Sequence, residues 1–281
     1  MATVAAPAAG PALRPPGSFI SRLKSVTVMT RRNLVHIARE PLQLSDVTIQ
    51  PVLFTVLFIY IFGGAIHLPG GSYKDYVVAG LLVFNIASAS MGTAVGLSAD
   101  IATGVIDRFR TLPMWRSAVL AGRSVTDLLT SMLCALIVGV TGLAVGWRSG
   151  APAVSIAAAF GLALAFGFAL SWAFACLGLV SKGPESAQST ALLFVFPLLF
   201  VSNALVPTQG MPSWMADFAN WNPFSAMASA VRDLLHNPNP AATIRAWPME
   251  HPVAASVGWT VALLVVFAPL AAHLFRKRTT G

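Results

Sequence analysis

The sequence predicts an all-α integral membrane protein with six transmembrane helices and both termini on the cytoplasmic side. Three observations lead there. Hydrophobic residues make up 56% of the 281-residue chain and charged residues only 10%, against about 25% charged in soluble domains. Six apolar runs reach the roughly 20 residues that a helix needs to cross about 30 Å of hydrocarbon. The 18 Lys and Arg against 10 Asp and Glu, a net charge of +8, fall unevenly between the connections. A composition this apolar excludes a water-soluble globule. With the cations spread among the connections, no continuous basic face is left for nucleic acid.

Residues 1–18, rich in Ala, Pro and Gly with Arg14 as their only charge, read as a disordered tail; no basic region leads into an apolar core as in a cleaved signal. Residues 19–40 plot as an amphipathic connecting helix. Phe19, Leu23, Val26, Thr30, Leu34 and Ile37 share one narrow arc, while Lys24, Arg31, Arg32 and Arg39 lie outside it. Such a helix is expected to lie on the inner leaflet, apolar side down. Val28, Met29 and Val35 then fall on its wet side, either incidentally or as a face for a soluble partner. The Glu40-Pro41 step ends it, because the residue before a proline is pushed out of the helical region. The transmembrane domain, 41–281, holds spans at 47–66, 77–99, 128–147, 154–180, 187–206 and 253–275. Each must be a helix, since lipid offers the backbone no other hydrogen-bond partner.

Orientation follows from the cations. Arg14, Arg22, Lys24, Arg31, Arg32 and Arg39 precede the first span; Arg108, Arg110, Arg116 and Arg123 lie between the second and third. Lys182 lies between the fourth and fifth, and Arg276, Lys277 and Arg278 close the chain; the other side holds only Lys74, Arg148, Arg232 and Arg245. The positive-inside bias makes the first side cytoplasmic. The cytoplasmic loop 100–123 is helical in its first half and stopped by Pro113. Val105, Ile106, Phe109 and Leu112 form an apolar stripe beside Asp107, Arg108 and Arg110. A loop that only marked topology would need charges and no exposed stripe, so this one suits a short helix docking in a groove of another protein. The outer loop 207–252 carries two short amphipathic helices expected to dip into the outer leaflet, as anchors or as a lid over an exit route. The first bears Trp214, Phe218 and Trp221, and the second runs from Asn222-Pro223 through Leu235. Trp147, Trp214, Trp221, Trp247 and Trp259 are expected at the outer interface as an aromatic belt.

No catalytic constellation is present. None of the four lysines follows a glycine, so there is no Walker A loop. The run Gly96-Leu97-Ser98-Ala99-Asp100 lacks the second glycine of a nucleophile elbow. Cys134 and Cys176 sit in apolar runs, and the five histidines have no ligand spacing. Arg123 and Asp127, one turn apart at the inner mouth of the third span, are expected to pair. With no acid at mid-depth, a proton or sodium relay has nothing to run on. The polar residues that enter the membrane are mild: Asn85, Ser88, Ser90, Thr93, Ser131, Ser171, Ser202 and Asn203. They read as interhelix glue. Alternatively Phe84, Asn85, Ser88, Met91, Phe196, Phe200 and Asn203 form a greasy, weakly polar wall for amphipathic cargo.

The stretch 103–114, TGVIDRFRTLPM, continuing as SAVLAGR at 117–123, resembles the cytoplasmic signature of the type-2 ABC exporter permeases, in particular the daunorubicin-resistance (DrrB-type) family. Asp107 stands where that family usually has Glu. Gln50-Pro51, Phe62-Gly63-Gly64-Ala65-Ile66 and Asn222-Pro223-Phe224 add to a likeness that covers nearly the whole chain from Thr30 on. The resemblance implies an ABC-2, or type V exporter-like, permease in the cytoplasmic membrane of a bacterium. It implies a homodimer paired with two copies of a separate ABC ATPase. This chain would bind no cofactor, ATP and Mg being held by that partner. The connecting helix and Val105, Ile106, Asp107, Arg108, Phe109, Arg110, Leu112 and Pro113 would contact the ATPase. Spans two and five, completed by span one, would line a path for hydrophobic or amphipathic drugs, antibiotics or lipids. The alternative is an ion-coupled secondary transporter or channel acting without an ATPase, disfavoured by the missing mid-membrane charge.

Overall fold

A computed structural model describes residues 19–66, 68, 71–104 and 118–280. Helix α1 (Phe19–Arg39) stops at Glu40, whose backbone is extended, and α2 (Pro41–Leu57) starts on the proline that follows. Proline fits the first helical position because the N–H it lacks would have found no partner there. Pro51, inside α2, cannot donate to the carbonyl of Val47; the Cys134 thiol on a neighbouring helix reaches that carbonyl instead, at 3.6 Å. A single π turn, Phe58–Phe62, extends α2.

The chain continues through α3 (Tyr73–Ala102), α4 (Ala118–Ala144), α5 (Ala153–Val180) and α6 (Pro184–Phe200). Three shorter helices follow, α7 (Ser213–Trp221), α8 (Pro223–Leu234) and α9 (Trp247–Glu250), before the long α10 (Pro252–Thr280). Gly104 and Gly146, with φ of 67° and 92°, occupy the left-handed conformation that closes α3 and α4.

Helix α3 is the axis of the bundle, buried from Tyr76 through Ala87 and packed by α4, α5, α6 and α8. Glycines let α5 lie backbone to backbone on it. A Cβ at Gly167 would stand 2.3 Å from Ile86 Cγ2, and one at Gly178 would stand 2.6 Å from the Ala94 carbonyl oxygen. The Ser90 hydroxyl bonds the Gly167 carbonyl across the same contact at 2.9 Å. Small residues at such crossings are the membrane's substitute for a hydrophobic driving force. Leu97 and Ile101 of α3, Leu179 of α5 and Phe275 of α10 cluster at one end of the bundle. Arg32, Arg123 and Arg276 belong to this basic end. Tyr73, Trp147 and the α7–α9 segment form the opposite, aromatic end.

Several expectations are corrected. Among the described residues five helices are long and apolar enough to cross a membrane: Gln43–Phe62, Tyr73–Ala102, Ala121–Ala144, Ala153–Val180 and Pro252–Arg278. Of the run expected as a span at 187–206, residues 187–200 lie in the 17-residue α6, which stops at Phe200; residues 201–206 continue without helix. Helix α1 does not present only Leu23 and its companions to lipid. Ser25, Met29, Thr30 and Asn33 are buried against α4, and Met29, assigned to the wet side, covers Gly122, where a Cβ would lie 2.4 Å from its own. Helix α8 does not present an apolar face outward: Phe224 through Arg232 are buried among α3, α5 and α10. Trp147 is buried too, whereas Trp214, Trp221 and Trp247 are exposed.

Candidate functional site

At the basic end α1 grips both flanks of segment 105–117. Arg32 Nη2 lies 2.5 Å from Asp100 Oδ1 in the last turn of α3. The Thr30 hydroxyl reaches the Gly122 carbonyl in the first turns of α4 at 3.3 Å. Just inside, Arg123 crosses from α4 to α3. Its Nη2 donates to the Gly92 carbonyl, and its guanidinium fills the space over Gly96, where a Cβ would stand 1.9 Å from it. The buried Asp127 accepts the Thr93 hydroxyl at 2.5 Å and holds Arg123 Nε at 3.7 Å, the pair that their spacing predicts. Removing one member of a buried ion pair strands the other charge and costs about 3–5 kcal/mol. The stripe Val105, Ile106, Asp107, Arg108, Phe109, Arg110, Leu112 and Pro113 lies outside the described residues.

The aromatic end is built around the break in α6. A helix that stops inside lipid leaves carbonyls that only protein can satisfy. Asn222 Nδ2 donates to the carbonyls of Leu198 and Val201, the latter at 2.8 Å. Its Oδ1 meanwhile accepts the Phe224 N–H at 2.9 Å and caps α8. The Ser202 hydroxyl takes the Leu199 carbonyl at 2.6 Å, and the Tyr73 hydroxyl takes that of Leu205 at 2.9 Å. Arg232, with no exposed surface, supplies the rest. Its Nη2 donates to the carbonyls of Asn203 and Ala204 at 2.9 and 2.7 Å, Nη1 to Asn203 Oδ1 at 3.2 Å, and Nε to the Tyr76 carbonyl at 3.0 Å. The guanidinium stacks 3.7 Å from the centre of the Tyr76 ring, whose hydroxyl also bonds the Asn203 carbonyl. Hydrogen bonds to a charged group contribute about 1.5–3 kcal/mol each, enough together to offset several kcal/mol of lost hydration. Gly80 lets the non-helical segment after α6 touch α3; a Cβ there would overlap the Ala204 carbonyl oxygen at 1.7 Å.

The residues expected to line a cargo path do not share one surface. Phe84, Asn85 and Met91 are buried. The Phe84 ring packs against that of Phe54, tilted by 34° at 5.3 Å between centroids, and Asn85 bonds the Leu81 carbonyl at 2.8 Å. Ser88 is half-buried. Phe196 and Phe200 stand exposed on α6, their rings stacked at 5.6 Å. Asn203 is committed to the Arg232 network and also donates to the Ser229 hydroxyl at 2.8 Å. Sequence reasoning missed Tyr73, Tyr76, Asp100, Gly122 and Arg232. Arg232 was counted as an outer-loop charge, although it stands in the otherwise uncharged run Phe224-Ser-Ala-Met-Ala-Ser-Ala-Val231.

Long apolar helices around a buried central one, with a cation-rich end tied by an amphipathic helix, define a multi-pass helical membrane protein. Residues 24–236 match the ABC-2 type transporter family, and the chain belongs to that family. It is 35% identical over 238 residues to the daunorubicin resistance ABC transporter permease protein DrrB1 of Streptomyces coeruleorubidus, covering 85% of this chain and 81% of that one. It is 23% identical over 260 residues to a protein of Mycobacterium tuberculosis named as a probable doxorubicin resistance ABC transporter permease, DrrC, covering 90% and 88%. It is also 23% identical over 261 residues to a protein of Cyanophora paradoxa named as a putative transport permease, ycf38, covering 91% and 89%. The chain is therefore the membrane permease subunit of an ABC transporter and works with an ABC ATPase.

Proposed function

We propose that this permease exports hydrophobic or amphipathic small molecules, of the polycyclic drug kind for which its relatives are named, across a bacterial cytoplasmic membrane. The basic end faces the cytoplasm with both termini, α6 with the non-helical residues that follow it serves as the sixth span, and two copies pair with two ATPases. ATP and Mg sit on those partners. Segment 105–113 docks on the ATPase, and the exposed rings of Phe196 and Phe200 meet the cargo. The observation that carries this reading is the grip of α1. By bonding Asp100 of α3 and Gly122 of α4, it ties together the two helices that flank the docking segment. A push delivered there is then passed to whole helices instead of being absorbed by a loose loop. Phe109→Asp puts a charge into the apolar stripe without touching a span. It should abolish most drug-stimulated ATPase activity of the reconstituted pair while the protein still inserts and purifies normally; unchanged stimulation would remove segment 105–113 from the docking surface.

A further inference from the structure

Arg232 is spent on an unusual task. Its guanidinium is entirely buried and, among the described residues, forms no ion pair. Its acceptors are the Tyr76 carbonyl of α3, the Asn203 and Ala204 carbonyls beyond the break of α6, and the Asn203 side chain. Arg232 itself belongs to α8. Three separate parts of the chain therefore converge on one planar fork. Tyr73 and Tyr76 add two hydroxyl bonds between α3 and residues 203–205, and Gly80 brings the two backbones into contact. Separating α3 from the end of α6 would strand a desolvated cation and a row of carbonyls where no water can reach them.

We infer that Arg232 is a positioning residue that fuses the aromatic ends of α3, α6 and α8 into one rigid body, so that the transport cycle moves this body whole and never opens between α3 and α6. The inference rests on the transport reading above, and it names which part of the gate moves. An arginine is required: its five donors lie in a fixed plane, whereas a lysine concentrates three donors on one point and cannot serve Tyr76, Asn203 and Ala204 together. Fixing the broken end of α6 in this way leaves its opposite face, with the exposed Leu193, Phe196 and Phe200, as the surface free to separate from its neighbours.

The test combines transport with a distance. Spin labels at Ser72→Cys and Val206→Cys, both exposed positions, report on the start of α3 and the segment after α6 in one labelled copy, with Cys134 and Cys176 replaced by Ala. The wild-type background should give the same distance peak in nucleotide-free and ATP-trapped complexes. Arg232→Lys should make that peak broad and state-dependent, and should lower drug transported per ATP hydrolysed by roughly tenfold in the folded, purified complex. A purely structural role would reduce the amount of folded protein and leave that ratio unchanged. If Arg232→Lys fails to fold, Tyr73→Phe with Tyr76→Phe removes two of the bonds, keeps the ring under the guanidinium, and should lower the ratio in the same direction. A wild-type distance that shifts between nucleotide states, or variants that pump at wild-type stoichiometry, would overturn the inference. The distance reads the fused body even if the wild-type complex moved no drug, so failure of the transport reading is told apart from failure of this one.

Discussion

Two arginines are taken out of water in this bundle, and they are satisfied in different ways. Arg232 has only dipoles and an aromatic face as partners, so its position is set by the backbone it serves. Arg123 has a carboxylate, Asp127, and lies close enough to the basic end for its side chain to remain 17% exposed. Asp127 is the deeper of the two and has Thr93 as its second partner. Asp127→Leu leaves Arg123 beside the Gly92 carbonyl with its counter-charge gone and should cost about 3–5 kcal/mol of stability. Arg123→Met with Asp127→Leu should recover most of that loss, because two apolar side chains of similar size replace the pair. Thermal unfolding of the purified variants reads this directly; a double variant as unstable as the single one would show that the pair contributes packing alone.

At the scale of elements, two helices leave backbone carbonyls without a partner in the helix, α2 at its internal Pro51 and α6 at its end after Phe200, and both are satisfied from outside. In α2 the carbonyl orphaned by Pro51 is taken by Cys134 of α4. Cys134→Ala should therefore destabilise the protein by about 1 kcal/mol. In a Pro51→Ala background, where the restored N–H can bond Val47, the same change should cost much less; equal costs in the two backgrounds would refute the mending role. In α6 the mending is done by Asn222, Ser202, Tyr73, Tyr76 and Arg232. The break in α6 was not legible in the sequence, because residues 201–206, Val-Ser-Asn-Ala-Leu-Val, are as apolar as a span. Hydropathy reports what a segment contacts, lipid or protein interior, and not whether its backbone bonds are internal. The face of α1 was misjudged for a related reason. An arc of large apolar residues marks a lipid-facing side, while close packing on Gly122 selects Ser25, Met29, Thr30 and Asn33.

At the scale of the whole molecule, the distribution of charge and apolar runs was legible, because crossing a membrane imposes length and composition on every span at once. What stayed hidden were contacts between distant segments: Arg32 with Asp100, Thr30 with Gly122, Arg232 with Tyr76. None leaves a local pattern. The sided placement of the cations predicts that a fluorescent protein fused after Thr280 glows in the cytoplasm and that Trp214→Cys reacts with an impermeant thiol reagent added outside; the reverse labelling would invert the orientation. The central claim, that the energy for transport comes from a partner and not from ions moving through this chain, is tested most directly in proteoliposomes. With the ABC ATPase reconstituted beside it, the permease should move an anthracycline-type drug when ATP is supplied, and a proton or sodium gradient alone should move none. Transport by the purified permease on an ion gradient, without the ATPase, would contradict the account.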